Sequence, residues 1–443
     1  MDSISKTPTW THLLKFAFPT IMSMLVMSTF GIVDGIFVAQ LIGPIALAPV
    51  SVVWPFLMFA MSIGFMLGVG GNAMIAKKIG EGREVESRQN FSLITIVAFT
   101  VSLMITIMGL LFPNVILDIL GADGDIRSMA LDYMRPLLWF LPIILLGAVF
   151  QQFLITVGKA HYGAITSFCG GIISASLNFL FLAVLDIGIM GAALATSIGY
   201  TLPAIVGLVY FTFVRSGSLY FVMPKLDLKA LGRTCINGAS EMVTILAASI
   251  TGVIMNNILI DLGGAEAQAA AGIMFAGMGI FSSLFIGYSS GVAPLISYNY
   301  GKGDTDNLKR SYKNSLRIIG VLSISAFALA FLSTDLIIGI YDVPRGTHMH
   351  DIAREGFRLI SAGFILMGFN SFASMFFTAL NNGVVSSLLS LFRTLIFVVI
   401  AFMTLPVIFG LTGAWAAMPA AEVLGIVMTV VFFWKMKDKY EYA

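Results

Sequence analysis

Long apolar runs separated by short polar breaks cover almost the whole of this sequence. Each run exceeds 20 residues, about the length that an α-helix needs to cross the hydrocarbon core of a bilayer. The pattern therefore predicts an all-α polytopic membrane protein. Its twelve predicted spans lie at about 13–39, 46–76, 91–113, 130–157, 162–185, 188–213, 234–260, 267–298, 314–340, 354–380, 384–409 and 411–434.

Composition excludes several other classes of protein. Of the 443 residues, 58% are hydrophobic and 11% are charged, whereas soluble proteins carry about 25% charged residues. The net charge of +2 and the scattered basic residues do not form a nucleic-acid-binding surface. The two cysteines, Cys169 and Cys235, lack the spacing of metal ligands, so we expect neither a metal site nor a resident cofactor.

Basic residues predict the orientation of the chain in the membrane. With the N-terminus inside, 19 of the 25 lysines and arginines fall in cytoplasmic segments and five in outer segments. The remaining one, Arg393, lies within a span. Because cytoplasmic loops carry an excess of Lys and Arg, both termini are predicted to be cytoplasmic.

The chain resembles itself at an offset of about 221 residues. GGNAMIAKKIGEG (Gly70 to Gly82) aligns with GVAPLISYNYGKG (Gly291 to Gly303), and GIMGAALAT (188–196) aligns with GLTGAWAAM (410–418). A duplication of six spans gives two lobes of the same membrane orientation, as in parallel-repeat transporters. We predict a first lobe over 1–213, a cytoplasmic linker over 214–233 and a second lobe over 234–443.

Five segments carry a resemblance to a known family: VDGIFVAQLIG, AKKIGEGREVESR, PLISYNYGKGD, TALNNGVVSSLLSLFRTL and GAWAAMPAAE. In them the chain resembles the multidrug and toxic compound extrusion (MATE) family, in particular its DinF/MepA-like prokaryotic branch. The resemblance implies two six-helix lobes around a central cleft, in a monomer of the prokaryotic inner membrane. It also implies export of small, organic, cationic compounds in exchange for H⁺ or Na⁺, and no enzymatic activity.

Asp34 lies deep in the first apolar run. A carboxylate at the bilayer centre costs about 2.5–3.5 kcal/mol on insertion scales, so Asp34 is expected to face the protein interior or water. There it can take up H⁺ or a cation on one side and release it on the other; a purely structural carboxylate is the alternative. The resemblance matches Asp34 to the first-helix carboxylate of the family, and Pro19 to the proline at which that helix bends.

Three polar side chains are expected to join Asp34. The resemblance, aligned through GAALAT, places Ser174 and Asn178 where related transporters carry Asn and Asp, and Thr196 where the family has a hydroxyl. We predict that these four residues form the cation-coupling group. Ordinary helix–helix hydrogen bonds are the alternative role of the partners, and a single carboxylate leaves H⁺ and Na⁺ both open.

Glu241 in the seventh span is the second acidic candidate. We predict a second ion or substrate site made by Glu241 with Asn256 and Asn257, which follow the repeat mate of Asp34, Met255. As an alternative, Glu241 could form an ion pair with Arg233 or Arg393.

Other intramembrane residues are predicted to serve structure or movement. Arg393 and Glu422 are expected to be structural charges that pair with each other or with backbone carbonyls, since isolated charges in a span are costly. Pro294 is a predicted hinge of the eighth span. Candidate side chains for the cleft lining are Met27, Phe37, Phe150, Phe153, Met255 and Phe275.

Three other functions remain as alternatives to drug export. A lipid-linked precursor flippase of the same superfamily would be favoured by a strongly cationic cleft. A major-facilitator-type transporter would carry a different basic motif between its second and third helices. An intramembrane enzyme would need paired carboxylates, a Ser/His pair or a metal cluster at one depth, and the sequence offers none.

Overall fold

The computed structural model describes residues 6–341 and 343–443, without the side chains of Pro44, Asp125 and Ala265. Within these ranges every element of regular secondary structure is a helix, as the apolar runs predict. The helices are α1 (Trp10–Leu41), α2 (Leu47–Gly80), α3 (Glu84–Leu111), α4 (Pro113–Ile119), α5 (Gly124–Thr156), α6 (Ala160–Asn178), α7 (Ile189–Phe213), α8 (Leu228–Lys302), α9 (Thr305–Leu332), α10 (Thr334–Ile340), α11 (His348–Ala379), α12 (Gly383–Leu391) and α13 (Phe397–Tyr440).

Two of these helices change direction at a glycine. Each of the two contains two membrane crossings, or parts of two. Gly264 divides α8 into α8a (Leu228–Gly264) and α8b (Glu266–Lys302), and Gly410 breaks α13. Both have positive φ, 63° and 58°, which glycine adopts without steric cost. Eleven described helical segments are long and apolar enough to span a membrane, and the last of them, Gly383–Tyr440, contains the Gly410 break. The twelve predicted spans and the all-α polytopic fold class are thereby accounted for.

Several helices extend beyond their apolar runs. The third begins at Glu84 rather than 91, and the ninth begins at Thr305 rather than 314. At its other end the ninth stops at Leu332 rather than 340, and the short helix α10 follows. The Asp304 carboxylate caps the start of α9 by accepting a hydrogen bond from the backbone N–H of Asn307 at 3.0 Å. Hydropathy marks only the part of a helix that lies in hydrocarbon, so it misses these polar first turns. For the same reason α8 begins at Leu228, inside the predicted linker.

The internal repeat seen in the sequence recurs in the backbone. Helices α3 and α9 are both 28 residues long and begin 221 residues apart, and the short helices α4 and α10 follow at the same separation. Gly188 before α7 has φ 68°, and its counterpart Gly410, 222 residues later, has φ 58°. Equivalent helices and turns therefore occur in the same order in α1–α7 and in α8–α13.

The two halves of the chain make close backbone contact through a set of glycines. A Cβ on Gly70 of α2 would overlap the carbonyl oxygen of Thr234 in α8a, and one on Gly238 would overlap that of Met66. We call the set Gly70, Gly80, Gly238, Gly291 and Gly301 the glycine seam. Small residues let helix backbones approach in this way in membranes.

The contacts of the seam occur in matched pairs. Gly80 lies against the carbonyl of Tyr298 in α8b, and Gly301 lies against the carbonyl of Lys77 in α2. Both glycines and both carbonyls are related by the 221-residue offset. These residues lie in the last turns of α2 and α8b, so the seam is on the side predicted to be cytoplasmic.

Apolar packing reinforces the seam. Leu13, Ala17 and Ile21 of α1 are buried in one cluster with Tyr288 and Val292 of α8b. A Cβ placed on Gly291 of α8b would lie only 2.9 Å from the Cα of Ala17 in α1, so the two backbones are in close contact there. Helix α1 of the first half is therefore packed directly onto the second half near its own N-terminal end.

Candidate ion and substrate sites

Asp34 accepts hydrogen bonds from three uncharged donors that belong to two neighbouring helices. Ser174 Oγ and Asn178 Nδ2 donate to its Oδ1 at 3.1 and 2.7 Å, and Thr196 Oγ1 donates to its Oδ2 at 2.8 Å. The first two donors belong to α6 and the third to α7. The structure thus brings together all four residues of the predicted cation-coupling group.

A close crossing of α6 and α7 positions these donors. Ser174 and Asn178 are one turn apart on α6 and so share a face. Gly170 of α6 meets Gly199 of α7: a Cβ on either would lie 2.6–2.7 Å from the carbonyl oxygen of the other. The paired glycines let the two backbones touch, which places Thr196 opposite Ser174 across the carboxylate.

Adding a methyl group at Gly199 should disrupt this geometry. In Gly199→Ala the new Cβ would lie 2.7 Å from the Gly170 carbonyl oxygen and 3.0 Å from the Ser174 Cβ, so α6 and α7 must separate. We expect gradient-driven transport to fall about tenfold, corresponding to about 1.4 kcal/mol. Transport assays in vesicles at matched protein amounts would measure it. Gly252→Ala is the matched control, because a Cβ there has no atom within 4 Å; equal losses in the two variants would contradict the prediction.

The group around Asp34 offers oxygen atoms to a cation. Asn178 Oδ1 is buried without a hydrogen-bond partner, beside a carboxylate whose three protein donors are all uncharged. In the described part of the chain no Lys or Arg forms an ion pair with Asp34. Carboxylate, amide and hydroxyl oxygens are the ligands that hard cations prefer. The arrangement can therefore hold a proton or a small hard cation.

A second, larger cavity lies between the halves. It has a volume of about 370 Å³ and is lined from α1, α2, α5, α7 and α8. Four methionines contribute flexible apolar surface, and Trp54 and Tyr200 contribute aromatic rings. Among its described lining residues Glu241 is the one charged side chain. The methionines are Met24, Met27, Met58 and Met61.

Asp34 does not line this cavity. It borders a separate cleft of about 250 Å³ between α1 and α6, with Phe30, Phe168 and Gly171 among the other lining residues. The candidate ion site and the candidate substrate cavity are therefore two spaces with a wall between them.

The second predicted site is wrong in its composition. Asn256 and Asn257 follow Glu241 by 15 and 16 residues on the same helix, α8a, so about 22 Å of helix separates them from it. Neither asparagine lines the central cavity, whereas Thr244, one turn after Glu241, does. The repeat relates Asn256 and Asn257 to the neighbourhood of Asp34 in the other half, and it does not place them at the depth of Glu241 in the membrane.

Most of the aromatic residues predicted to line the cleft lie elsewhere. Phe150 and Phe153 are buried in a hydrophobic cluster that also includes Ala230 of α8. Met255 is buried in a cluster of the second half, and Met27 does line the cavity. Apolar residues are the default in a spanning helix, so residue type alone did not separate lining from core.

Arg393 and Glu422 face each other in the second half, as expected of paired structural charges. Arg393 Nη1 lies 4.0 Å from Glu422 Oε1 and donates to Ser371 Oγ at 2.7 Å. Asn370 Nδ2 donates to Glu422 Oε2 at 2.7 Å. Arg393 also lies near enough to Glu241 to interact with its charge.

The two predicted hinge prolines lie inside unbroken helix. Pro19 is within α1 and Pro294 is buried within α8b, and the break in α8 occurs at Gly264 instead. Bending at either proline during transport stays a prediction.

Sequence reasoning missed two aromatic residues beside Asp34. Phe30 precedes Asp34 by four residues on α1, and Tyr200 follows Thr196 by four on α7. Tyr200 lies close enough to Asp34 to interact with its charge, as does the buried Tyr133 of α5. The helical i, i+4 spacing from Asp34 and from Thr196 is the one sequence signal that points to Phe30 and Tyr200, and it does not show that their rings touch.

Comparison with known proteins gives one consistent result. The model of the family described as MatE matches residues 19–180 and 241–403, two blocks that begin 222 residues apart. "Multidrug export protein MepA" of Staphylococcus aureus is 22% identical over 441 residues, covering 98% of this chain and 95% of that protein. The protein of the same name from Staphylococcus saprophyticus is also 22% identical, with the same coverage.

Two solved structures share the fold at 20% sequence identity. One is described as the "outward-facing conformation of a multidrug resistance MATE family transporter of the MOP superfamily", with a TM-score of 0.93 and coverage of 100% of this chain and 98% of that one. The other is a MOP superfamily transporter from Pyrococcus furiosus whose description reports a binding pocket of reverse polarity. Its TM-score is 0.91, with coverage of 99% and 98%.

Proposed function

Since this chain belongs to the MatE family, we propose that it exports small organic cations across the membrane in exchange for H⁺ or Na⁺. The observation that carries the proposal is the pairing of two spaces in one bundle. One holds Asp34 among uncharged donors, and the other is a methionine-lined cavity with a single carboxylate. Its homologues are transporters and not enzymes.

Alternating access of two lobes is the proposed mechanism. The seam lies on the predicted cytoplasmic side of the central cavity, and its glycines permit backbone contact that can be made or broken as a unit. An ion bound at Asp34 changes transport only if its affinity differs between the inward-open and outward-open states. We expect the protein to act as a monomer in a prokaryotic inner membrane, with both termini cytoplasmic.

The central cavity suits cationic rather than anionic substrates. Glu241 supplies one negative charge, and the buried Gln152 Oε1 in the same lining has no hydrogen-bond partner. Methionine adapts its shape to different ligands, and aromatic faces attract organic cations. A lipid-linked precursor flippase must bind a pyrophosphate, which Glu241 would repel, so this alternative is less favoured.

Dye efflux driven by one ion gradient at a time tests the proposal. The protein is reconstituted into vesicles loaded with ethidium, and either a Na⁺ gradient or an H⁺ gradient is imposed alone. We expect one of the two gradients to accelerate efflux over protein-free vesicles. Equal efflux with and without each gradient would overturn the proposal.

Replacing Glu241 should change affinity according to substrate charge. We expect Glu241→Gln to raise the Kd for ethidium about tenfold, because a carboxylate–cation attraction of at least about 1.4 kcal/mol is lost. Binding of an uncharged dye should change less than about twofold by the same reasoning. Fluorescence titration of the purified protein measures both. The control is Glu266→Gln, an exposed acid paired with His348 at 2.7 Å outside the cavity; an equal loss of affinity for both dyes would refute the charge-based role.

A further inference from the structure

An aromatic pair forms part of the wall between the two cavities. Phe30 borders the Asp34 cleft and Tyr200 borders the central cavity. Their rings meet edge to face, with centroids 5.6 Å apart and planes at 70°. Phe30 therefore borders the Asp34 cleft and touches a residue that lines the central cavity, and Tyr200 borders the central cavity and touches a residue that lines the Asp34 cleft.

Helical spacing joins this pair to the ion site. Asp34 follows Phe30 by four residues on α1, and Tyr200 follows Thr196 by four on α7, so each pair shares a helix face. Helices α1 and α7 thus touch at two adjacent levels, through the Asp34–Thr196 hydrogen bond and through the Phe30–Tyr200 rings. If α1 and α7 move relative to each other at the Asp34–Thr196 hydrogen bond, the Phe30–Tyr200 contact one turn away must change as well.

Phe30 is held firmly enough to transmit such a displacement. Its side chain is 8% exposed. The ring lies over Gly171 of α6, where a Cβ would overlap it. The ring is therefore enclosed by α6 on one side and by Tyr200 on the other, so a shift of α1 would press it against these neighbours.

Thr196 has a second acceptor available when Asp34 is occupied. Its hydroxyl lies 2.8 Å from Asp34 Oδ2 and 3.0 Å from the carbonyl oxygen of Ala192. A proton or cation on Asp34 competes with the three donors for the carboxylate oxygens. The Thr196 hydroxyl can then bond to Ala192 alone, which releases the connection between α1 and α7 at that level.

We propose that Phe30 and Tyr200 are positioning residues that couple ion occupancy at Asp34 to the affinity of the central cavity. Release of Thr196 lets α1 shift, Phe30 shifts with it, and Tyr200 changes the shape of the cavity wall. This inference rests on the proposed function. Because linkage is reciprocal, substrate in the cavity changes the ion affinity of Asp34 by the same factor.

The test is the ion dependence of ethidium binding. The Kd is measured by fluorescence on the full-length protein in nanodiscs, at high and low pH without Na⁺ and with and without Na⁺ at fixed pH. For the wild-type protein we expect one of these ions to change the Kd about tenfold, within the range usual for coupled sites. In Phe30→Leu this ratio should fall below about twofold, while the ion-free Kd stays within about threefold of wild type.

Conservative and control variants separate coupling from general damage. Phe30→Tyr and Tyr200→Phe keep both rings and should keep the tenfold ratio. Phe281→Leu removes a ring of a similar aromatic pair, 5.2 Å from Phe364, outside both cavity linings, and should also keep it. If Phe30→Leu does not fold, Tyr200→Leu removes the other ring and should lose the ratio in the same way.

The outcomes distinguish the two levels of the proposal. A wild-type Kd that responds to neither ion contradicts the proposed exchange function, and the coupling inference falls with it. A wild-type ratio that survives unchanged in Phe30→Leu or in Tyr200→Leu overturns the coupling inference alone.

Discussion

Replacing Asp34 by asparagine is expected to abolish ion-driven efflux while leaving the protein folded. The amide has the shape of the carboxylate but can neither take up a proton nor balance a cation. We expect the gradient-driven rate of ethidium efflux to fall about 100-fold, near the upper end of coupling energies between sites. Efflux from vesicles under the effective gradient, with protein content determined in the same vesicles, measures the loss.

The folded state should tolerate this substitution. An asparagine side chain still accepts hydrogen bonds from Ser174 and Asn178 through its oxygen, and Thr196 can turn to the Ala192 carbonyl. The loss of one net hydrogen bond costs about 1 kcal/mol of unfolding free energy. Asp132→Asn makes the same chemical change at an exposed position and should transport normally. Unchanged efflux in Asp34→Asn would show that another group carries the coupling.

Opening the glycine seam should have the second large effect. In Gly70→Val the added side chain overlaps the Thr234 carbonyl and the backbone N–H of Gly238, so α2 and α8a cannot close. We expect transport to fall at least about tenfold, because one of the two states is disfavoured by more than about 1.4 kcal/mol. Vesicle efflux under the same gradient measures this loss.

A native cysteine reports the state of the seam directly. Cys235 is partly buried next to Thr234 and packs against a hydrophobic cluster that includes residues of α2 and α3. In a Cys169→Ser background, a membrane-impermeant maleimide added from the predicted cytoplasmic side should label Cys235 about tenfold faster in Gly70→Val. Gly252→Val, where a Cβ meets no atom within 4 Å, serves as the control. Equal labelling rates in all three proteins would mean that the seam does not close this side.

The pattern of apolar runs was sufficient for the helices, because the requirement for a span is simple. A segment of more than 20 apolar residues has few stable alternatives to a transmembrane helix. What the runs could not locate was where each helix ends. Glu84 and Thr305 begin helices outside the hydrocarbon, where hydropathy does not decide the boundary; the start of the second is capped by Asp304.

The partners of Asp34 could also be predicted, because the family resemblance aligned three polar positions of α6 and α7 with the residues that accompany the first-helix carboxylate. Ser174, Asn178 and Thr196 meet it in the structure. Their role in ion coupling stays a prediction. The depth of Asn257 relative to Glu241 was misjudged, because repeat alignment relates positions between halves and says nothing of distance within one helix.

The cavity wall was beyond sequence reasoning for a different reason. Whether Phe30 and Tyr200 touch depends on the rotation and separation of α1 and α7. These are determined by the backbone contact of Gly170 with Gly199 and by the space beside Gly171, which the Phe30 ring fills. Glycine patterns are common in spanning helices, so these two contacts could not be selected from the many possible ones.

The matched contacts of the seam have the form of an isologous interface, in which the same surface is used on both sides of a two-fold axis. Gly80 against Tyr298 and Gly301 against Lys77 are one contact made twice, as in a symmetric homodimer whose subunits have been joined into one chain. Joining removes the need for the subunits to be identical. The interface keeps its two-fold character although the sites have diverged. The residue equivalent to Asp34 in the second half is a methionine, and the residue equivalent to Glu241 in the first half is a threonine. A symmetric closure thereby serves a transporter whose two sites differ in chemistry.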